Sequence, residues 1–434
     1  MSAIQGLSAS PHVEKISRRV VVAGAVGSVV EYFDFGVYGY VATILSVHFF
    51  ASGDPVSALL ATLATFAVAF ILRPVGALIF GHFGDRYGRK NALAWTVLLM
   101  AIASGLIGIL PTYAAIGLGA TLLLVLTRSL QGLAAGGELG GAASFVAERS
   151  PDKKRGLLCA TTQMGALAGS LLASVTITIL NLVIGTESMT DWGWRIPFLI
   201  AIPLGLIGLW IRNGLEESQE FKAIEKKQAR KAPVLDLFRT HPQTLLRVIG
   251  LSILLFSAYY IAYVYVNIHM QTVVGLSANF AYMSTSITLL ISVIAMPMFG
   301  ALSDRVGRKP VFLGATIAAI VLAVPAFLLF EQGGTIAVGA HIILGLTDSA
   351  LMGVALSAYA EMFPTRIRYT GIAFGFSIGA ALAGGTAPYI STWLVAVTGN
   401  SIAPAFFMIG TGIITLISAL TMKETRGIAL SAVQ

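Results

Sequence analysis

GHFGDRYGRK, residues 81–90, returns as GALSDRVGRK at residues 300–309. Both copies are glycine-spaced and end in Asp-Arg-x-Gly-Arg-Lys. Two further pairs follow in the same order and at nearly the same offset. AERSPDKKRG (147–156) returns loosely as AEMFPTRIRYTG (360–371), and LEES (215–218) as MKET (422–425). Three ordered matches describe a chain made of two tandem copies in one orientation. A repeat of this kind fixes the architecture before any single element does.

Composition says where the repeated unit sits. Hydrophobic residues make up 56% of the 434 positions and charged ones only 11%, against about 25% charged in an ordinary globular domain. The mean hydropathy is +0.84. Most of the chain therefore belongs in a lipid bilayer. A spanning helix needs about 20 mainly apolar residues, and twelve candidates are present. They cover 20–48, 56–82, 91–110, 113–146, 156–184, 195–212, 245–272, 278–302, 310–330, 335–361, 369–397 and 402–422. The one sizeable break, 213–244, is rich in both signs of charge. The expected fold is an all-α membrane protein of twelve transmembrane helices. They form two six-helix bundles related by a pseudo-two-fold axis along the membrane normal: 1–212, a cytoplasmic central loop at 213–244, and 245–434.

Lysine and arginine in short loops set membrane orientation. With both termini in the cytoplasm, that side holds 25 of the 28 basic residues; the others are Arg73, Arg128 and Arg195. The opposite loops carry no lysine or arginine apart from Arg195. The +8 net charge is thus an orientation signal, and no nucleic-acid partner is needed to explain it. Residues 1–17 read as a polar cytoplasmic tail. The run after Arg18 and Arg19 is too long, and too acidic at Glu31 and Asp34, for a cleavable signal peptide. The single Cys159 excludes an internal disulfide framework and reads as packing in a helix.

The G-x-x-x-D-R-x-G-R-K element in both halves resembles the loop motif of the major facilitator superfamily. EYFDFGVYGY, RPVGALIFGHFGDRYGRK, RSLQGLAAGGELGGA, DWGWRIPF and RNGLEES together resemble its metabolite:proton symporter branch. Relatives in that branch carry shikimate, 2-oxoglutarate, citrate, or proline and betaine. The resemblance covers essentially the whole chain. It implies a multi-pass transporter of a bacterial inner membrane, functional as a monomer, with lipid, a small solute and protons as partners and no cofactor.

The loop motifs supply candidate gates. Asp85, Arg86 and Arg89, and in the second copy Asp304, Arg305 and Arg308, gather at cytoplasmic helix ends. Carboxylates favour helix N-termini and cations C-termini. Glu148 and Glu361 end the fourth and tenth spans on the same side, as candidate partners for the arginines of their own halves. Such a network fastens helices in the outward-facing state, or it only sets topology.

Ionisable residues inside spans are costly and usually face a cavity or each other. Glu31 and Asp34 share a helix face at i and i+3, and Tyr38 continues it. Two acids this close in a poorly solvated cavity do not both ionise easily, so one is a candidate proton carrier. The competing role is a permanent ion pair with Arg73 or Arg128. Arg128, Gln131, Ala135 and Glu138 fall on one face of the fourth span. A guanidinium fork suits a substrate carboxylate, with Gln131 beside it; Arg128 is equally a counter-ion for the acids. Arg73, before Pro74, has the same two roles open. Glu138 is gate or relay. In the seventh span Tyr259, Tyr260, Tyr263 and Asn267 line the cavity from the second half, or pack as an aromatic belt. Asp348 in the tenth span offers a second polar contact. His269 and His341 are either relays or structural.

The sequence contains no metalloprotease, hydrolase-elbow, metal-spaced or nucleotide-binding motif. An enzyme, an ATP-driven pump and a receptor with a signalling domain are therefore disfavoured. The expected function is secondary active import of a small carboxylated metabolite, an organic acid anion or a zwitterion, by proton symport. The alternative is a proton-independent facilitator or exporter of the same solutes.

Overall fold

The computed structural model describes residues 18–51, 53–87, 89–136, 146–148, 150–213, 233–365 and 367–430. Within these, side chains are described except at 18–26, 81, 84–87, 89–93, 211–213 and 233–236. Twelve spans are present among the described residues. In the first half, α1 runs Arg18–Tyr40 and, after a break, Ala42–Phe49; α2 is Pro55–Tyr87 and α3 Arg89–Ile109. Next come α4 (Tyr113–Ile116 and Leu118–Gly136), α5 (Arg155–Ser188) and α6 (Arg195–Asn213). In the second half, α7 is Pro242–Thr272, α8 Ala278–Val306, α9 Arg308–Phe330, α10 Gly334–Met362, α11 Arg368–Thr398 and α12 Ala403–Thr421. Their ends lie within a few residues of those read from hydropathy, because helical backbone runs on past the apolar stretch until something stops it. After α8 the stop is Gly307, whose φ of 113° is open mainly to glycine. The expected end of the fourth span, 137–146, lies almost wholly outside the described residues, and Glu138 with it.

The stretch expected as a central loop is not wholly irregular. Pro233–Thr240 is a short helix, and α7 already begins at Pro242. Proline opens each helix where a missing N–H costs nothing. Leu237 is buried and Phe238 packs edge-on against Phe374 of α11, 5.3 Å between ring centres.

Large apolar side chains such as Leu122, Val183, Trp210, Val321 and Ile417 cover the outside of the helices. In water such a surface is a liability; in a bilayer it is the solvated face. Inside, packing relies on small residues. A Cβ on Gly132 of α4 would stand 2.2 Å from the Ala69 carbonyl of α2. Between the halves, a Cβ on Gly156 of α5 would stand 2.5 Å from the Gly300 carbonyl of α8. One on Gly385 of α11 would meet the Phe70 ring of α2 at 2.4 Å. The halves are thus in close contact, backbone on backbone along α5–α8 and ring on backbone along α2–α11.

Gly132→Ala forces α2 and α4 apart at the level of Arg73 and Arg128. Overpacking costs about 1–3 kcal/mol, and against rigid backbone the cost lies at the upper end. The melting temperature of the detergent-purified protein is expected to fall by several degrees; an unchanged melt would show that these helices have slack.

α7 and α11 each contain a π-helical turn, Ile261–Tyr265 and Ala380–Gly384. Such turns are frequent at functional sites. His341 braces the first one. Its Nε2 lies 2.6 Å from the Ala262 carbonyl and its Nδ1 2.9 Å from Ser284 Oγ. Nε2 therefore carries the proton and Nδ1 accepts from the serine, which makes this histidine a structural tie.

Candidate functional site

The intramembrane charges assemble into one buried layer. Glu31 is 3% and Asp34 1% exposed. They do not face each other as an isolated pair of acids, because each meets its own arginine. Glu31 Oε1 lies 3.0 Å from Arg73 Nη2, and Asp34 Oδ2 lies 4.0 Å from Arg128 Nη1. Asp34 also meets the Ser104 hydroxyl of α3 in a very short contact. Arg128 Nη1 donates to Gln131 Oε1 at 2.7 Å, and Gln131 Nε2 donates to Ser104 Oγ at 2.9 Å. Arg128, Gln131, Ser104 and Asp34 thus close a ring across α1, α3 and α4.

Aromatic rings replace water around the guanidinium groups. Arg73 lies 4.4 Å from the centres of both Phe35 and Phe70. Arg128 lies 4.2 Å from the centre of Tyr38 and 4.9 Å from that of Phe35. Desolvated cation–π contacts of this kind contribute roughly 2 kcal/mol each. Yet Arg73 Nε and Nη1, and Arg128 Nε and Nη2, have no hydrogen-bond partner among the described residues. Tyr38 is committed elsewhere: its hydroxyl donates to the Thr62 carbonyl at 3.1 Å, so it serves Arg128 through its ring.

The second half closes over this layer. Tyr260 packs edge-on against Phe66 and Phe70 at 5.7 and 5.0 Å, with its hydroxyl unpartnered among the described residues. Tyr259 and Ser170 of α5 share a hydrogen bond of 2.6 Å across the halves. Tyr263 donates to the Gly345 carbonyl at 3.0 Å. Asp348 is fully buried, and neither of its oxygens has a hydrogen-bond partner placed on it among the described residues. Asn267 does not join the layer. Its amide donates to Thr285 of α8, and its oxygen accepts from Gln271 a turn further on. His269 sits among Phe327, Phe330 and Tyr265. Ser104, Ser170, Phe35, Phe66 and Phe70 belong to the site without having been singled out.

A second cluster lies at the loop-motif end. The side chains of Asp85, Arg86 and Arg89 lie outside the described residues. In the second copy, Arg308 pairs with Asp304 at 2.8 Å and with Glu361 at 3.0 Å, while Arg305 is exposed and pairs with none of the described residues. Glu361 also pairs with Arg155 of the first half at 2.8 Å, and Glu148 pairs with Arg368 of the second at 2.9 Å. Glu148 therefore finds its partner in the opposite half, not in its own. The two cross-pairs are repeat equivalents, since Glu148 and Arg155 align with Glu361 and Arg368. Each arginine also donates from Nε to the carbonyl eight residues before it, Ala147 and Ala360 respectively. The Asp304 carboxylate accepts from the Gly156 and Leu157 N–H groups at 2.8 and 2.9 Å. A carboxylate from one half thus caps the positive N-terminus of a helix in the other.

The segment after α12 seals this end. The Ile428 and Leu430 carbonyls accept from Arg155 and Arg368 at 3.1 and 3.0 Å, and Thr425 Oγ donates to Glu361 at 2.6 Å. Glu424 accepts from the Arg308 and Lys309 N–H groups that open α9. At the other end of the molecule, Arg195 donates to the Gly108 and Leu110 carbonyls that end α3. That is a cap, and it accounts for an arginine on the side otherwise poor in them.

Residues 20–232 match the family described as "Sugar (and other) transporter", and residues 140–422 the one described as "MFS/sugar transport protein". The chain is 38% identical over 420 residues to a proline/betaine transporter of Salmonella typhimurium, covering 94% of this chain and 84% of that protein. A glycine betaine/proline/ectoine/pipecolic acid transporter of Dickeya dadantii, OusA, is 38% identical with coverage of 94% and 83%. A putative proline/betaine transporter of Staphylococcus aureus is 36% identical with coverage of 92% and 87%. Among solved structures, the proton:xylose symporter XylE bound to 6-bromo-6-deoxy-D-glucose superposes with a TM-score of 0.74 at 21% identity, covering 96% of this chain and 98% of that one. Its fold is the fold described above. With twelve spans in two bundles and relatives this similar over nearly its whole length, the chain belongs to the major facilitator superfamily of membrane transporters, in the branch that holds the proline/betaine transporters.

Proposed function

We propose that the chain imports a small carboxylated solute together with a proton by alternating access. The observation that carries this is the set of buried, unpartnered donors on Arg73 and Arg128, beside Asp34 at the interface of the halves. Buried donors without partners cost free energy, and a carboxylate supplies the geometry a guanidinium fork accepts. Protonating Asp34 removes its charge from Arg128 and frees that cation for the carboxylate of the solute. By reciprocity, a bound carboxylate on Arg128 favours the proton on Asp34. Loading one favours loading the other, as symport requires.

Ser104 accommodates both states. With Asp34 ionised, its hydroxyl donates to the carboxylate while accepting from Gln131. With Asp34 protonated, the acid donates to Ser104, whose own proton turns to the Met100 carbonyl at 2.8 Å. Ser104 Oγ thus keeps a donor and an acceptor role in either state.

On this reading, Glu31, Asp34, Tyr38, Arg73, Arg128, Gln131, Tyr259, Tyr260, Tyr263 and Asp348 are the working residues. Residues 1–212 and 245–434 are the two rocking halves, each chain working as a monomer. The loop-motif end and both termini face the cytoplasm of a bacterial inner membrane. The names of the relatives favour a zwitterion with a carboxylate, such as proline or a betaine, as the solute.

Proteoliposomes with an inward proton gradient test this. Labelled proline, glycine betaine and simple organic acids are offered in turn. Accumulation above equilibrium of at least one is expected, and a protonophore should abolish it. Accumulation that survives the protonophore without a sodium gradient would exclude proton symport; equilibration without accumulation would favour a facilitator.

A further inference from the structure

Asp348 stands apart from the other buried acids. Glu31 and Asp34 each have an arginine within 4.0 Å. Among the described residues, no cation acts on Asp348, and the one donor beside it is the Tyr263 hydroxyl. The groups within electrostatic reach are the phenols of Tyr263 from α7 and Tyr32 from α1. Tyr263 has already given its proton to Gly345.

These phenols begin an aromatic wall. Tyr263 packs edge-on against Tyr259 at 5.1 Å, and Tyr259 against Tyr32 at 5.6 Å and Tyr260 at 4.9 Å. Tyr260 continues to Phe70, whose ring lies under Arg73. One end of the wall offers guanidinium donors and the other an uncompensated carboxyl. Tyrosine faces attract a cation that has shed water, and a carboxylate beside them supplies its charge. We propose that Asp348, with Tyr32, Tyr259 and Tyr263, forms a subsite for the cationic nitrogen of a zwitterionic solute. This rests on the reading above, in which Arg73 and Arg128 take the solute's carboxylate, and it assigns the opposite pole of the same molecule.

Glycine betaine and 3,3-dimethylbutyrate test it, because they differ only in a quaternary nitrogen replaced by carbon. Both are offered as competitors for binding to the purified full-length protein and to Asp348→Asn. The wild type should prefer the betaine by at least about tenfold. Asp348→Asn should erase most of that preference by weakening betaine alone. Unchanged affinity for 3,3-dimethylbutyrate then certifies that the variant is folded and its arginine end intact. A preference that survives Asp348→Asn overturns the assignment, also where the variant has lost only proton-driven accumulation and Asp348 is thereby a proton carrier. If the variant does not fold, the wild type decides, since equal affinity for the two compounds overturns the subsite and leaves the carboxylate reading standing. Failure of both compounds to bind the wild type overturns both.

Discussion

Asp34→Asn is expected to collapse proton-driven accumulation to simple equilibration while leaving solute exchange measurable. Asparagine keeps the size of the side chain and a hydrogen bond to Ser104, so the ring through Gln131 to Arg128 survives. What it loses is the ability to gain and release a proton. One proton carried per solute yields about tenfold accumulation for each pH unit of gradient; the variant should show a ratio near one whatever the gradient. Counterflow, in which unlabelled solute inside drives entry of label, requires no net proton movement and should persist. Asp34 is the better candidate than Glu31 because its arginine is 4.0 Å away, against 3.0 Å for the pair of Glu31 with Arg73. A loose pair is easier to part by protonation. Glu31→Gln strands Arg73 among Phe35 and Phe70 and should lower uptake through binding or stability. If both variants accumulate solute normally, the two acids merely fasten helices.

Much of this molecule was legible in the residues. The repeat of GHFGDRYGRK as GALSDRVGRK, with twelve apolar runs, determined the two-bundle architecture. The buried layer was legible where it breaks a rule: a charge inside a span is conspicuous, so Glu31, Asp34, Arg73, Arg128 and Asp348 stood out. Ser104 did not, because one hydroxyl in a helix is cheap and common; nothing in ALAWTVLLMAIASG says that it meets an acid from another helix. The rings around the arginines were hidden in the same way, since phenylalanine is ordinary in any span. Asn267 misled in the opposite sense, as a conspicuous amide satisfied by neighbours of its own level. At the loop-motif end the sequence places arginines near Glu148 in its own half, yet its partner stands in the other. A repeat shows which residues are equivalent but not whether equivalents pair within a half or across it. As single residues Arg155 and Arg368 are indistinguishable from orientation charges. Their alignment with each other, beside that of Glu148 with Glu361, was the signal that would have exposed the exchange.

That exchange leads to a prediction of comparable size. Glu361 is buried and serves Arg155 from one half, Arg308 from the other, and the Thr425 hydroxyl. In Glu361→Gln two buried guanidinium groups lose a shared counter-charge together, although Asp304 stays with Arg308 and Asp152 with Arg155. Removing one partner of a buried pair costs about 3–5 kcal/mol, and the remaining carboxylates put the cost here at the lower end. The cost falls on the arrangement in which the halves are closed at this end, because parting them lets water reach both arginines. The population should move toward the open arrangement by a factor of about 10² to 10³. Cys159, the single cysteine, reports the change from one turn beyond Gly156 on α5. It is 1% exposed in the closed arrangement, so its alkylation by a maleimide waits on opening. Labelling of Glu361→Gln should accelerate greatly, and gradient-driven uptake should fall as the opposite-facing state is depopulated. Glu148→Gln supplies the internal scale. It breaks the repeat-equivalent pair with the buried Arg368, but the Glu148 side chain is 37% exposed, so water already screens one member and the loss is smaller than for a fully buried pair. Its labelling rate should rise no more than a few-fold. If Cys159 in Glu361→Gln labels at the wild-type rate, the crossed ion pairs are not what holds this end shut, and the glycine contact of α5 with α8 is left to do so.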